Sequence, residues 1–256
     1  MSTYVYGITH SGLPQLPAGL AGVGDPPRAV RVVRAGGVAA VVSDCPPGLR
    51  PTRRDLFAHQ RVLSAAAGAT VLPLRFGSVA PDDRSVRALL TARSDALREA
   101  LDTVAGRVEF TVRGMHDEET LLRGIVARDE EVRRLNAAVR ADGGGTYADK
   151  LRLGKLLDAA VAAQAARDTA TVEEALAPLA ARHRGGPGAD GWILTMAFLV
   201  DRDRAAAFLT AAQRLQEDMP HLDLAVNGPL PPYGFAGSAG FAGLFGAAAQ
   251  RPLATV

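Results

Sequence analysis

Cysteine is nearly missing from this chain, with Cys45 alone in 256 residues, which excludes an internal disulfide framework. Lysine is nearly missing too, since Lys150 and Lys155 are the only two, so the positive charge is almost all arginine. Basic and acidic residues alternate, as in Arg128-Asp-Glu-Glu-Val-Arg-Arg134, and the net charge is only +2. With no basic cluster interleaved with aromatics, a nucleic-acid partner is not expected. Aromatic residues make up 5%, so any core must be built from Leu, Val and Ala. Long apolar runs are also lacking. Trp192 to Val200 is the longest strongly apolar run and falls far short of the ~20 residues that span a bilayer. The opening Met1-Ser-Thr-Tyr-Val-Tyr6 has neither the charged nor the apolar region of a signal peptide, so a cytoplasmic protein is expected, with no membrane partner.

What is present is ordinary globular composition, 48% hydrophobic and 22% charged, in a chain long enough for one large domain or two smaller ones. Tyr4–Ile8 has strand composition. Val30–Arg34 and Val38–Ser43, parted by Ala35-Gly36-Gly37, predict a hairpin, because paired glycines supply the positive φ angles of a tight turn. Thr52 is placed to cap a helix running to Ala67, closed by Gly68, with Leu56, His59, Leu63 and Ala67 on one face. Thr70–Val79 is read as a strand interrupted by Pro73, and a helix follows over Asp82–Val104 along Val86, Leu89, Leu90, Leu97 and Leu101. Gly106 marks a domain boundary.

Beyond it, Arg107–Arg113 alternates as a half-buried strand does. Asp117 caps a long helix with the stripe Leu121, Leu122, Ile125, Val132, Leu135 and Val139. A turn at Asp142–Gly145 leads to a helix over Tyr147–Asp168, and Thr171-Val-Glu-Glu174 reads as the capping box of a third. Arg184–Gly188 reads as a loop. Trp192–Val200 is a buried strand, Asp203–Asp218 a helix, and Leu222–Val226 a closing strand. The fold class expected is α+β in two mixed domains, an N-terminal one over 1–105 and a C-terminal one over 106–235. The order of elements in the second permits a ferredoxin-like sheet with an inserted helical hairpin. A tail rich in Gly, Ala and Phe occupies 236–256.

Catalytic constellations do not emerge. The five histidines, His10, His59, His116, His183 and His221, show no metal-ligand spacing, and no catalytic residue, cofactor site or metal site is expected. His59 lies on the apolar face of its helix, which suits a buried structural histidine. His116-Asp-Glu-Glu119 is rich in ligand atoms, but acidic residues at a helix start are what capping and the helix dipole favour. Gly154-Lys155 is followed by Leu156 where a phosphate loop needs Ser or Thr. Arg75, placed by strand alternation opposite Leu74 and Phe76, is a candidate for partner binding or an exposed strand arginine. Ile125, Val132 and Val139, spaced by seven, are a candidate partner face, with folding back on the helix after Tyr147 as the alternative. In the tail, Phe241, Leu244 and Phe245 are candidate anchors, too apolar for an idle end, among glycines that weaken a helix.

Five blocks in order, Tyr4-Val-Tyr-Gly-Ile8, Ala39–Ser43, His59 ahead of Val62-Leu63, Thr70–Val79 and Asn227-Gly-Pro-Leu-Pro-Pro-Tyr-Gly-Phe235, resemble the gas vesicle protein L/F family over nearly the whole chain. Two departures stand out, since the family usually carries tryptophan where Leu230 stands and serine where Gly234 stands. The resemblance implies two mixed domains with a ferredoxin-related second one. It also implies a non-enzymatic accessory protein of gas vesicle formation, located in the cytoplasm and at the gas vesicle. Its partners would be the small hydrophobic shell protein, kept from aggregating and helped to nucleate, and other accessory proteins. The competing expectation is a small-molecule sensor or enzyme on a ferredoxin-like scaffold.

Overall fold

A computed structural model of the protein describes residues 1–12, 16–66, 70–141, 144–188, 191–236 and 246–247. Main-chain contacts divide the chain into two units, Met1–Glu109 with Leu230–Val256, and Phe110–Pro229.

The first unit is built on β1 (Thr3–His10), with the hairpin β2 (Arg31–Ala35) and β3 (Val38–Asp44) on one side of it. Gly36 and Gly37 both take positive φ, 60° and 79°, as the turn between β-branched runs requires. On the other side of β1 lie two three-residue strands end to end, β4 (Val71–Pro73) and β5 (Ser78–Ala80). The continuous strand expected over Thr70–Val79 is therefore broken. Pro73 cannot donate to a ladder, and Gly77, at φ 87°, turns the chain before pairing resumes.

Helix α1 (Arg53–Ala66) starts where Thr52 Oγ1 accepts the Asp55 N–H. Its buried face is Asp55, Ala58, His59, Val62, Leu63 and Ala66, so Leu56 sits at the margin of the face rather than within it. Ala58, Val62, Leu63 and Ala66 pack with Tyr4, Tyr6 and Val41. The helix expected over Asp82–Val104 is two, α2 (Asp83–Ala92) and α3 (Ser94–Val104). They part where the β2–β3 turn packs in, since a Cβ on Gly36 would lie 2.9 Å from Ser94 Cβ and 3.1 Å from the Leu90 carbonyl.

The second unit takes up β6 (Arg107–His116) and then three helices, α4 (Glu118–Arg128), α5 (Glu130–Arg140) and α6 (Tyr147–Leu176). Asp129 divides the long helix expected after Asp117, because its carboxylate caps the Val132 N–H instead of leaving the helix unbroken. Conversely, α6 runs 30 residues without the break expected near Asp168. Thr171 Oγ1 donates back to the Arg167 carbonyl, which suits mid-helix and not a cap. The capping box used is Thr146 with Asp149.

Then come β7 (Arg182–Pro187), β8 (Leu194–Asp201), α7 (Ala205–Asp218) and β9 (Leu222–Leu230), in a sheet of order β7-β8-β6-β9. The expected loop at Arg184–Gly188 is thus mostly strand. Its glycines carry no strand signal, and its backbone is held by antiparallel pairing from Arg182↔Leu199 to Pro187↔Leu194. The closing strand also runs past Val226 to Leu230. The architecture is mixed α+β, with eight α-helices among the described residues once the short α8 (Tyr233–Ala236) is included. No helix among those residues is long and apolar enough to cross a membrane.

Candidate partner-binding surface

Arg75 lies in the corner between β4 and β5, not in a strand, and its side chain is exposed. Two buried side chains hold that corner from beneath. His59 Nε2 lies 3.1 Å from the Leu74 carbonyl, which can only accept, so this nitrogen carries the proton. His59 Nδ1 then accepts from Tyr4 Oη at 2.8 Å, and Tyr4 Oη accepts the Gly77 N–H at 3.3 Å. The chain of donors closes on both ends of the Arg75–Phe76 turn. Phe76 adds its ring against Tyr4 and His59, at centroid distances of 5.8 and 5.9 Å.

Burial sets the protonation states. It pulls His59 down to about 4, against the opposing effect of the Leu74 carbonyl, and it pushes the Tyr4 phenol well above its ordinary range. Tyr6 is raised by burial as well, while it bonds Ser43 Oγ at 2.9 Å and accepts the Val23 N–H at 2.9 Å. Burial would also raise Asp55, but the Gly24 N–H, the Thr52 hydroxyl and Arg54 outweigh it and hold the carboxyl below its usual value. The His59–Tyr4 pair is thus a neutral, directed support for a surface turn.

Beside that turn, β5 pairs with β1 through Thr3↔Ala80 and Tyr4↔Val79. Its other edge is taken by β10 (Gly246–Ala247), with Gly246↔Val79 and Ala247↔Ser78. The tail thus supplies a strand to the sheet edge next to Arg75. Phe241, Leu244 and Phe245 fall outside the described residues. Of the candidate helical face, Ile125 and Val132 are buried and Val139 is half-buried. All three pack in the helical layer with Leu121, Leu135 and Leu153, and with Leu156 and Leu157 on α6.

The arrangement has counterparts in known proteins. The family model described as "Gas vesicle synthesis protein GvpL/GvpF" matches residues 2–237. The chain belongs to the GvpL/GvpF family. Gas vesicle protein F of Streptomyces sp. (strain CB03234) is 49% identical over 92% of this chain and 99% of its own length. Gas vesicle protein L of the same organism is 34% identical, covering 92% and 93%. The crystal structure of GvpF from Anabaena sp. PCC7120 shares the fold, with a TM-score of 0.75 at 24% identity, covering 92% of this chain and 98% of that one. Gly234 packs closely against a buried acid. The Gly234 N–H donates to the buried Glu109 carboxylate at 2.6 Å, and a Cβ at Gly234 would lie 2.7 Å from Glu109 Oε1. In this GvpL/GvpF chain the carboxylate fills the space that any side chain at position 234 would need.

Proposed function

We propose that the protein is a non-enzymatic accessory factor of gas vesicle formation, working in the cytoplasm and at the growing vesicle. In this reading it holds the hydrophobic shell protein and helps nucleate its assembly. Membership of the GvpL/GvpF family supports the role, and pairing of the tail strand with β5 carries the mode of contact. A sheet edge that takes a two-residue strand from its own chain is suited to accept a strand from a client instead, because the ladder groups are already aligned. Arg75 stands at the end of that edge, where its guanidinium can fork to a client's backbone or carboxylate. Phe241, Leu244 and Phe245 serve as adjustable apolar anchors. Ile125, Val132 and Val139 stiffen the helical layer rather than offer a free groove. The second unit, with its first strand between its third and fourth, is read as a ferredoxin-like scaffold bearing the extra helices.

Deleting the gene, in a background with no second family member, is expected to abolish or severely reduce vesicles while growth is unchanged. Electron microscopy and buoyancy measure this, and normal vesicles would sink the proposal. Truncation after Phe235 is expected to leave both units folded while changing solubility or weakening capture of the shell protein. That capture is measured by pull-down from cells expressing the whole gene cluster. Unchanged solubility, capture and vesicle yield would make the tail dispensable.

A further inference from the structure

Three side chains far apart in sequence meet inside the second unit. Asp168, in the C-terminal half of α6, is 2% exposed. Its Oδ2 lies 2.9 Å from His116 Nε2, at the end of β6, and 3.0 Å from His221 Nε2, just ahead of β9. The three ligand atoms all fall within 4.8 Å of one another. Neighbouring groups fix the carboxylate. Gln164 Nε2 donates to Asp168 Oδ1 at 2.7 Å, which leaves Oδ2 to the imidazoles, and Arg167 donates to Gln164 Oε1 at 2.8 Å, which orients the amide. The backbone adds a tie, with the Asp117 N–H donating to the His221 carbonyl at 3.0 Å. Asp117's own carboxylate caps α4 through the Thr120 N–H, so it stands apart from the cluster.

We infer that His116, Asp168 and His221 form a binding site for a divalent transition-metal ion of the zinc type. Two imidazoles and one carboxylate are a ligand set that suits zinc and is poorly matched to calcium or magnesium, which prefer oxygen alone. Ligand bonds of about 2.0–2.2 Å in tetrahedral geometry separate ligand atoms by about 3.3 Å. The two imidazole–carboxylate distances therefore need to open by only a few tenths of an ångström, while the two imidazole nitrogens, within 4.8 Å of each other, settle to the same spacing, each ring carrying its proton on Nδ1. The amide held on the other carboxylate oxygen is the kind of outer support that metal-bound carboxylates have. His116 and Asp168 side chains are 8% and 3% exposed, whereas His221 is 19% exposed, so the cluster is reached from the His221 side. A bound ion would tie β6, α6 and the start of β9 together.

The full-length protein, stripped with a chelator, is to be titrated with cobalt(II) followed by visible spectroscopy and with zinc(II) followed by calorimetry. Wild type is expected to bind a single equivalent, to show the d–d bands of four-coordinate cobalt, and to melt higher with zinc. Asp168→Asn and His221→Ala, checked for folding by circular dichroism, are expected to weaken binding at least tenfold. His221→Cys, which exchanges one zinc ligand for another, should restore the cobalt spectrum with an added sulfur charge-transfer band. A merely hydrogen-bonded brace cannot give that rescue. Wild type that binds no better than His221→Ala, or variants that bind as well as wild type, would overturn the assignment.

Discussion

Gly22→Ala is expected to cost about 3 kcal/mol or more of stability in the first unit, read as a lower midpoint in chemical denaturation. A Cβ there would lie 2.1 Å from Tyr6 Oη and 3.0 Å from the Arg28 carbonyl. Tyr6 has nowhere to move. Its ring is fully buried among Tyr4, Val41 and Val62, and its hydroxyl is held by Ser43 and by the Val23 N–H. The methyl must therefore displace a core ring or pull the Ala21–Val30 loop from the sheet, and either leaves a buried hydroxyl or amide unpaired. Gly12→Ala is the matched control, because nothing among the described residues lies within 4 Å of a Cβ there. Equal stability of the two variants would contradict the packing described.

His59 is expected to make the first unit acid-sensitive. Its folded value of about 4 lies below the ordinary 6.5, so between those two values the unfolded chain binds more protons than the folded one. The contribution of neutral His59 is complete above about pH 6.5 and is lost as pH falls towards 4, on the order of 3 kcal/mol over the window. His59→Gln can still donate to Leu74 and accept from Tyr4, yet has nothing to protonate. Melting curves at pH 7 and pH 4.5 should show a smaller acid loss for this variant than for wild type. His59→Ala should instead cost about 1–3 kcal/mol at neutral pH, since it orphans the Leu74 carbonyl and the Tyr4 hydroxyl. An alanine variant that melts like wild type but no longer captures the shell protein would reverse this reading. His59 would then be a binding residue.

Local chemistry alone settled a good part of the architecture. Gly36-Gly37 between β-branched runs specified the β2–β3 hairpin, because few residues tolerate two consecutive positive φ angles. Thr52 and Asp117 marked two helix starts, because a short side-chain oxygen reaches the exposed amides of a first turn. His59 on an apolar stripe predicted a buried, partnered imidazole, and the ordered blocks from Tyr4 to Phe235 pointed to the family. Where a side chain can choose between two local bonds, the sequence did not decide. Asp129, read as mid-helix, became a cap, and Thr171, read as a cap, lies mid-helix.

Tertiary structure decided whatever rests on backbone partners or on residues distant in the chain. Arg182–Pro187 is a strand only because β8 supplies its ladder, so its glycines and proline gave no warning. Arg75 left its strand at the break between Pro73 and Gly77, and His59 and Tyr4, from other elements, fasten the turn on either side of it. His116, Asp168 and His221 are 52 and 53 residues apart, a separation at which no periodicity or motif spacing survives. Composition, caps and turns act within a few residues and can be read along the chain. A sheet edge, a pinned corner and a three-residue cluster exist only once folding has brought their parts within bonding distance.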